Sequence, residues 1–272
     1  VITSHHPNTT RNPIRGIISK PDFQMIVVDT PGIHKPKTLL GSRLNSMVSE
    51  NLESVDAVLI CLPADEEIGF GDEYIAKQVL NQRRVLIAVT KTDSVKQETL
   101  LAKLIEVGEF AASVGLSVAE IVPISAKNED QTDLLLSLLA EKLPISPSLY
   151  PEDITTDQAS EMTITELIRE AAIENLYEEV PHSIVVTIDE MTKREGKDFF
   201  DIHATLHVER DSQKSIVIGP QGSRLKDIGI RARGSVETFL DAKIFLGLHV
   251  KVNKEWQRDA KALTKLGFID RK

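Results

Sequence analysis

Gln24-Met25-Ile26-Val27-Val28-Asp29-Thr30-Pro31-Gly32 is an apolar run that ends in Asp-x-x-Gly. The run has the length of a buried strand, and Asp29 stands at its carboxyl end, where open α/β sheets hold their ligands. Two later stretches repeat this layout. Val85-Leu86-Ile87-Ala88-Val89 leads into Thr90-Lys91-Thr92-Asp93, and Ile121-Val122-Pro123-Ile124 leads into Ser125-Ala126-Lys127. Strand patterns at residues 16–19, 25–29, 56–62, 84–90 and 118–123 alternate with helical spacing at 41–53, 72–82, 96–114 and 131–143. Such alternation predicts an α/β domain with a mostly parallel sheet and helices on both faces.

Outward from that domain the pattern changes. Pro144-Ile145-Ser146-Pro147-Ser148-Leu149-Tyr150-Pro151 has three prolines in eight residues and reads as a linker. Beyond it a helix is predicted over 163–179, strands over 183–188 and 201–209, one or two helices over 223–240, and a last strand over 244–252. The order α-β-β-α-α-β is that of a smaller α+β unit. The predicted division is residues 1–143, a linker at 144–157, and a second domain at 158–272.

Composition sets limits on this reading. The 272 residues suffice for two cores, and no run of apolar residues is long enough to span a bilayer. The net charge of −9 hides an asymmetry. From Pro181 onward there are 17 Lys and Arg against 13 Asp and Glu, while the remainder has 15 against 28. An acidic body beside a mildly basic unit keeps a nucleic-acid partner open. Cys61 is the single cysteine, so no internal disulfide forms; its apolar surroundings predict a buried, inert thiol. The seven histidines show no convincing ligand spacing, and His203 and His207 are expected as surface residues on one strand face. Trp256 is expected to close a small core.

The polar ends of the strands carry definite chemistry. Asp29 can hold the water shell of a metal, and the Gly32 N–H can bond a γ-phosphate. A carboxylate at Asp93 can accept two hydrogens from the guanine edge, a donor pair that adenine lacks. The Lys91 stem can cover the ring, and the Ala126 N–H can meet the guanine O6. Singly, each is an ordinary strand exit, or at Asp93 a helix N-cap. Three in order, each after a strand, predict a guanine-nucleotide site at Thr90, Lys91, Asp93, Ser125, Ala126 and Lys127. In the second domain Ile218-Gly219-Pro220-Gln221-Gly222-Ser223-Arg224-Leu225-Lys226 places Gly-x-x-Gly between helices. The bare backbone there can approach a sugar-phosphate chain, with Arg224 and Lys226 nearby for charge.

With these motifs in view, the chain resembles the TRAFAC GTPases, and specifically the bacterial Era family, along its whole length. The resemblance implies a P-loop-type GTPase domain followed by a type II KH domain, and GTP/GDP with Mg²⁺ as ligands. A first-switch threonine that reaches Mg²⁺ would be Thr10, with Thr9 beside it, and Asp29 would share the metal. Ile33 stands where many GTPases orient the attacking water with Gln, so slow intrinsic hydrolysis is expected. The KH loop would take Ile218, Gly219, Pro220, Gln221, Gly222, Ser223, Arg224 and Lys226 to single-stranded RNA. By resemblance the target is the 3′ end of small-subunit ribosomal RNA, in assembly of that subunit. A cytoplasmic monomer is implied, with peripheral association at the inner membrane as a family trait.

No segment fits Gly-x-x-x-x-Gly-Lys-Ser/Thr, the loop that cradles phosphates. The opening Val1-Ile2-Thr3-Ser4 resembles the stretch just downstream of that loop. A truncated start is therefore expected, with roughly three dozen further residues upstream in an intact member, the length of a strand, loop and helix. Without the central strand, two lines of backbone should lie unpaired. The expected activity is a GTP-switched, RNA-binding GTPase in the intact protein, with little activity in this stretch alone. The alternative is a non-enzymatic KH protein with a defective G domain. A tandem G-domain GTPase is disfavoured, because its KH-like unit lacks Gly-x-x-Gly.

Overall fold

A computed structural model describes residues 10–33, 36–174, 176 and 180–269. The chain enters through an antiparallel hairpin, β1 (Ile14–Ser19) and β2 (Gln24–Asp29). A separate parallel sheet follows, made of β3 (Val58–Pro63), β4 (Val85–Thr90) and β5 (Val118–Pro123) with β4 in the middle. Strand β4 has a parallel partner on each side and helices above and below. Val85 to Val89 are all 0% exposed, which is why the strand reads as one apolar run.

Four helices complete this domain: α1 (Leu39–Ser54), α2 (Phe70–Gln78), α3 (Gln97–Ser113) and α4 (Thr132–Ala140). Val107 and Ala111 of α3 and Ala76 of α2 pack on Ile87 and Val89, while Leu135 of α4 packs on Ala88 and Val122 from the other face. Thr38 caps α1 by accepting from the Gly41 N–H at 3.2 Å.

The sheet is in two pieces. No ladder joins β2 to β3, so each has one unpaired edge among the described residues. Val27 in the middle of β2 is 42% exposed. Cys61 corrects the sequence reading: it is exposed. Its apolar neighbours in sequence suggested burial, but side chains alternate along β3, and Cys61 points to the face opposite buried Ile60 and Leu62. Surrounding protein, then the Asp29 carboxylate, still raise its thiol above the usual value, which disfavours thiolate.

The second domain contains α5 (Ser160–Ile173), α6 (Val180–Ser183), β6 (Val185–Lys193), β7 (Phe199–Val208), α7 (Asp211–Ile218), α8 (Ser223–Leu240), β8 (Lys243–Val252) and α9 (Ala260–Lys265). β7 is central, antiparallel to β6 and parallel to β8 over ten residue pairs. This is the expected α-β-β-α-α-β order with the short α6 and α9 added. One sheet face packs Ile202, Leu206 and Val250 against Ile164 and Ile168 of α5 and Ile228 and Val236 of α8.

The other face is partly covered, which the sequence did not show. After β8 the chain folds back, placing Trp256, Leu263 and Phe268 against Val185 and against Leu40 and Leu44 of α1. Trp256 is 0% exposed and donates its indole N–H to the Ser183 carbonyl at 3.1 Å. It closes a core, as expected, but one shared by both domains. His207 was expected on the surface and is instead buried, 2.9 Å from Thr187 Oγ1. Desolvation, with Lys251 adding to it, holds its imidazole below the usual pKa.

The proline-rich connection is docked rather than free. Gln24 Oε1 accepts from the N–H groups of Leu149 and Tyr150 at 2.8 and 2.9 Å, and the Ile17 N–H donates to the Thr155 carbonyl at 2.8 Å. Asp157 is held by the Tyr150 hydroxyl at 2.8 Å and by Arg15 at 3.1 Å. These contacts strap the connection along the β1–β2 hairpin. No helix among the described residues is long and apolar enough to cross a membrane.

Candidate nucleotide site and nucleic-acid interface

The carboxyl ends of β4 and β5 bring the guanine candidates together. Asp93 lies in a 3-10 turn, Thr92–Ser94, directly after β4. Ser125, buried at the end of β5, donates its hydroxyl to Asp93 Oδ1 at 2.6 Å and accepts from the Asn128 N–H at 3.2 Å. That hydrogen bond holds the Asp93 carboxyl below its usual range, and Lys127, 4.0 Å from Oδ2, adds to the effect. The two loops are stitched by Thr92 N–H to Ile124 O at 3.3 Å. Ala126 is exposed between them.

Lys91 adopts left-handed backbone, φ 57°, which turns the chain sharply out of β4. Its ammonium is 2.8 Å from Glu66 and 3.6 Å from Asp65, and the Glu66 hydrogen bond raises its pKa. The sequence reading missed both acids. They lie in the loop after β3, so only the parallel pairing of β3 with β4 brings them to Lys91.

At the other end, the Thr10 hydroxyl donates to Asp29 Oδ2 at 3.0 Å. Two hard oxygens thus converge at the end of β2, a donor pair suited to Mg²⁺. Gly32 is exposed and Ile33 half-buried; Thr9 lies outside the described residues. Among the described residues no cluster of His, Cys, Asp or Glu forms a metal site by itself.

The Gly-x-x-Gly loop joins α7 to α8 through a 3-10 turn at Pro220–Gly222. Helix α7 is the helix expected before the loop, to which the sequence pattern gave no bounds. Gly219 has φ 71°, and a Cβ there would stand 2.7 Å from Arg224 Cβ. Only glycine fits so close an approach at that backbone angle. Arg224 departs from its expected role: its guanidinium turns back to the Ile216 carbonyl at 2.7 Å and closes the end of α7. Ile218 is half-buried and packs on the core.

Gly222 and Lys226 line an open groove of about 960 Å³ between α8 and β8. Its apolar floor includes Ile230, Phe245 and Leu248, and Arg233, Lys243 and Arg194 bring positive charge. Phe245 is 47% exposed and Ile230 63%. The one acid in the groove, Glu237, is engaged by Lys243 at 2.8 Å and Arg233 at 3.3 Å, which holds its carboxyl low. At the end away from Gly222, Arg194 stacks 4.1 Å over the Phe199 ring and is pinned by two bonds to Asp201. A basic groove with exposed rings suits a single strand, whose phosphates seek charge and whose bases seek stacking. The sequence reading named the loop but not this groove. The available signal was the apolar Ile230 and Phe245 at positions where neighbouring residues on the same element are charged.

The comparisons with known proteins agree with this geometry. Residues 179–257 match the family model described as KH domain, and residues 1–91 the one described as 50S ribosome-binding GTPase. GTPase Era of Streptomyces coelicolor is 50% identical over 98% of this chain and 86% of its own length. The chain belongs to the Era GTPase family. GTPase Era of Mycobacterium tuberculosis is 49% identical, over 98% of this chain and 89% of that protein. A crystal structure of Era with MgGDPNP and nucleotides 1506–1542 of 16S ribosomal RNA superposes with TM-score 0.92 at 32% identity, covering 99% of this chain and 90% of that one. A variant of Aquifex aeolicus Era bound to GDP·AlF4⁻ gives TM-score 0.91 at the same identity and coverage. The chain is thus an Era-family GTPase with an α/β G domain and a KH domain. That membership removes the ground for a non-enzymatic reading.

Proposed function

We propose that the intact protein binds GTP and GDP with Mg²⁺, hydrolyses GTP, and holds the single-stranded 3′ end of 16S ribosomal RNA during small-subunit assembly. The observation that carries this is the presence, in one chain, of the Asp93–Ser125 pair at the ends of β4 and β5 and of the open basic groove beside Gly219–Gly222. In this reading the Asp93 carboxylate accepts from guanine N1 and N2, and the Ala126 N–H meets O6. Ser125 keeps Asp93 ionised and aimed. Thr10 and Asp29 would hold Mg²⁺, which when bound offsets charge on the β- and γ-phosphates. The Gly32 N–H bonds the γ-phosphate and senses its loss.

Ile33 has no side-chain group to orient water, so basal hydrolysis is slow and waits on a partner. The 272-residue stretch contains no phosphate-cradling loop, so by itself it binds GTP weakly and does not turn it over. RNA recognition divides the work: the Gly219–Gly222 backbone admits the sugar-phosphate chain, while Ile230 and Phe245 take bases. The membership of a cytoplasmic assembly pathway, with peripheral membrane contact, is proposed on family grounds alone.

The test is multiple-turnover hydrolysis by the full-length protein, with and without a single-stranded oligonucleotide copying the 3′ end of 16S ribosomal RNA. A slow basal rate that rises with the oligonucleotide but not with its duplex is the expected result. A rate indifferent to RNA, or equal for ATP, would contradict the proposal.

A further inference from the structure

Each segment that would sense the γ-phosphate sends one buried arginine into the KH domain. Arg11 directly follows Thr10 and is 5% exposed. Its guanidinium donates to the Ile184 carbonyl at 2.6 Å and the Pro181 carbonyl at 3.4 Å, and lies 5.9 Å from the Trp256 ring centroid. Arg43 lies in α1, the helix after Asp29–Gly32, and is likewise buried. It donates to the Phe268 carbonyl, to Thr264 Oγ1 at 3.4 Å and to the Ala260 carbonyl at 3.5 Å. The Leu40 N–H adds a backbone bond to Gln257 O at 2.9 Å.

The acceptors belong to stretches that run straight into the groove. Pro181 and Ile184 lead into β6, and Arg194 directly follows the strand's far end. Gln257 to Phe268 follow β8, whose Ile244 and Phe245 line the floor. Trp256 lies under the Arg11 guanidinium and stacks on Phe268, whose carbonyl Arg43 holds, and it donates to Ser183 O, one residue from Arg11's acceptor. A buried guanidinium shared between backbone carbonyls is geometrically specific, so a shift of the segment that carries it strains or breaks bonds in the segment that accepts them.

We infer that Arg11 and Arg43 are positioning residues that tie Thr10 and α1 to the KH domain, so that nucleotide state and the RNA groove set one another's geometry. The inference rests on the nucleotide switch proposed above. Reciprocity follows by linkage: if GTP changes RNA affinity through these residues, RNA changes GTP affinity by the same factor. Arg11 is the more direct of the two, since one peptide separates it from the hydroxyl that reaches Asp29.

The experiment uses full-length protein and the single-stranded 16S 3′ oligonucleotide, with affinity measured in the GDPNP and the GDP states. Wild type should show a ratio between states of about fivefold or more. Arg11→Ala should bring that ratio to about one while RNA affinity with GDP stays close to wild type. Arg11→Lys removes the planar fork and should also lose most of the ratio. If Arg11→Ala does not fold, judged by its melting curve, Arg11→Lys decides. Both Arg11 variants keeping the wild-type ratio would overturn the inference and leave the switch intact. So would an equal loss of RNA affinity in both states, which is what a merely structural role produces. A wild-type ratio of one would remove the switch and the inference together.

Discussion

The two sheets of this protein differ in completeness. In the KH domain β7 is paired along its length on both sides, and the groove beside β8 has its floor, its charges and its loop all in place. In the G domain β4 is equally well enclosed, yet among the described residues β2 and β3 each show an unpaired edge, and Val27 and Cys61 are exposed. The Asp93–Ser125 pair sits at the ends of the enclosed strands β4 and β5, whereas the Thr10–Asp29 pair sits at the end of β2 in a two-stranded hairpin. The proposed guanine contacts therefore rest on a paired sheet, and the proposed Mg²⁺ contacts on an open-edged one.

The largest perturbation expected is at the cluster shared by the two domains. Trp256→Ala should destabilise by about 3–5 kcal/mol, through the cavity it leaves and the unpaired Ser183 carbonyl. Thermal unfolding should show both domains affected; a loss confined to the KH domain would break the shared-core description. Next is Asp93→Asn in the full-length protein. Replacing a charged acceptor pair should weaken GDP binding by about a hundredfold, two charge-assisted bonds being at stake. Xanthine, with an oxygen at C2, should bind the variant relatively better. Unchanged guanine affinity would move the base away from β4.

Gly219→Ala sharpens the other half of the contrast. Its Cβ must displace Arg224, so single-stranded RNA affinity should fall about tenfold while the G domain's nucleotide affinity is unaffected. Filter binding or fluorescence anisotropy would read both. The smallest effect belongs to Ser125→Ala. Ser125 holds the Asp93 carboxyl low, so the ionised, guanine-binding form persists as pH falls. Without it, the acid limb of nucleotide binding should begin at higher pH, nearer the ordinary Asp value of about 3.9. Affinity at neutral pH should fall only by the worth of one hydrogen bond, about 1 kcal/mol.

What the sequence made legible was local. Strand β4 announced itself as five consecutive apolar residues, and Asp29–Gly32, Thr90–Asp93 and Ser125–Lys127 each follow directly on their strands. Gly219–Gly222 needed only its own backbone to be recognised. What stayed hidden was made by residues far apart in the chain. Arg11 stands among polar residues in the sequence, with nothing to mark it as buried, and is buried because Pro181 and Ile184 meet it. His207 reads as a surface residue and is covered because the chain returns after β8. The proline-rich connection reads as free and is strapped down by Gln24. Periodicity reports which face of an element is apolar; it does not report which distant segment comes to cover the other face.

The claim on which the account rests is that the ends of β4 and β5 read guanine. Displacement of labelled GDP from the full-length protein tests it most directly. GTP and unlabelled GDP should compete at comparable concentrations, and ATP should fail even at about a thousandfold excess, the discrimination expected when a buried or preorganised polar pair is left unmatched. Equal displacement by ATP would contradict it.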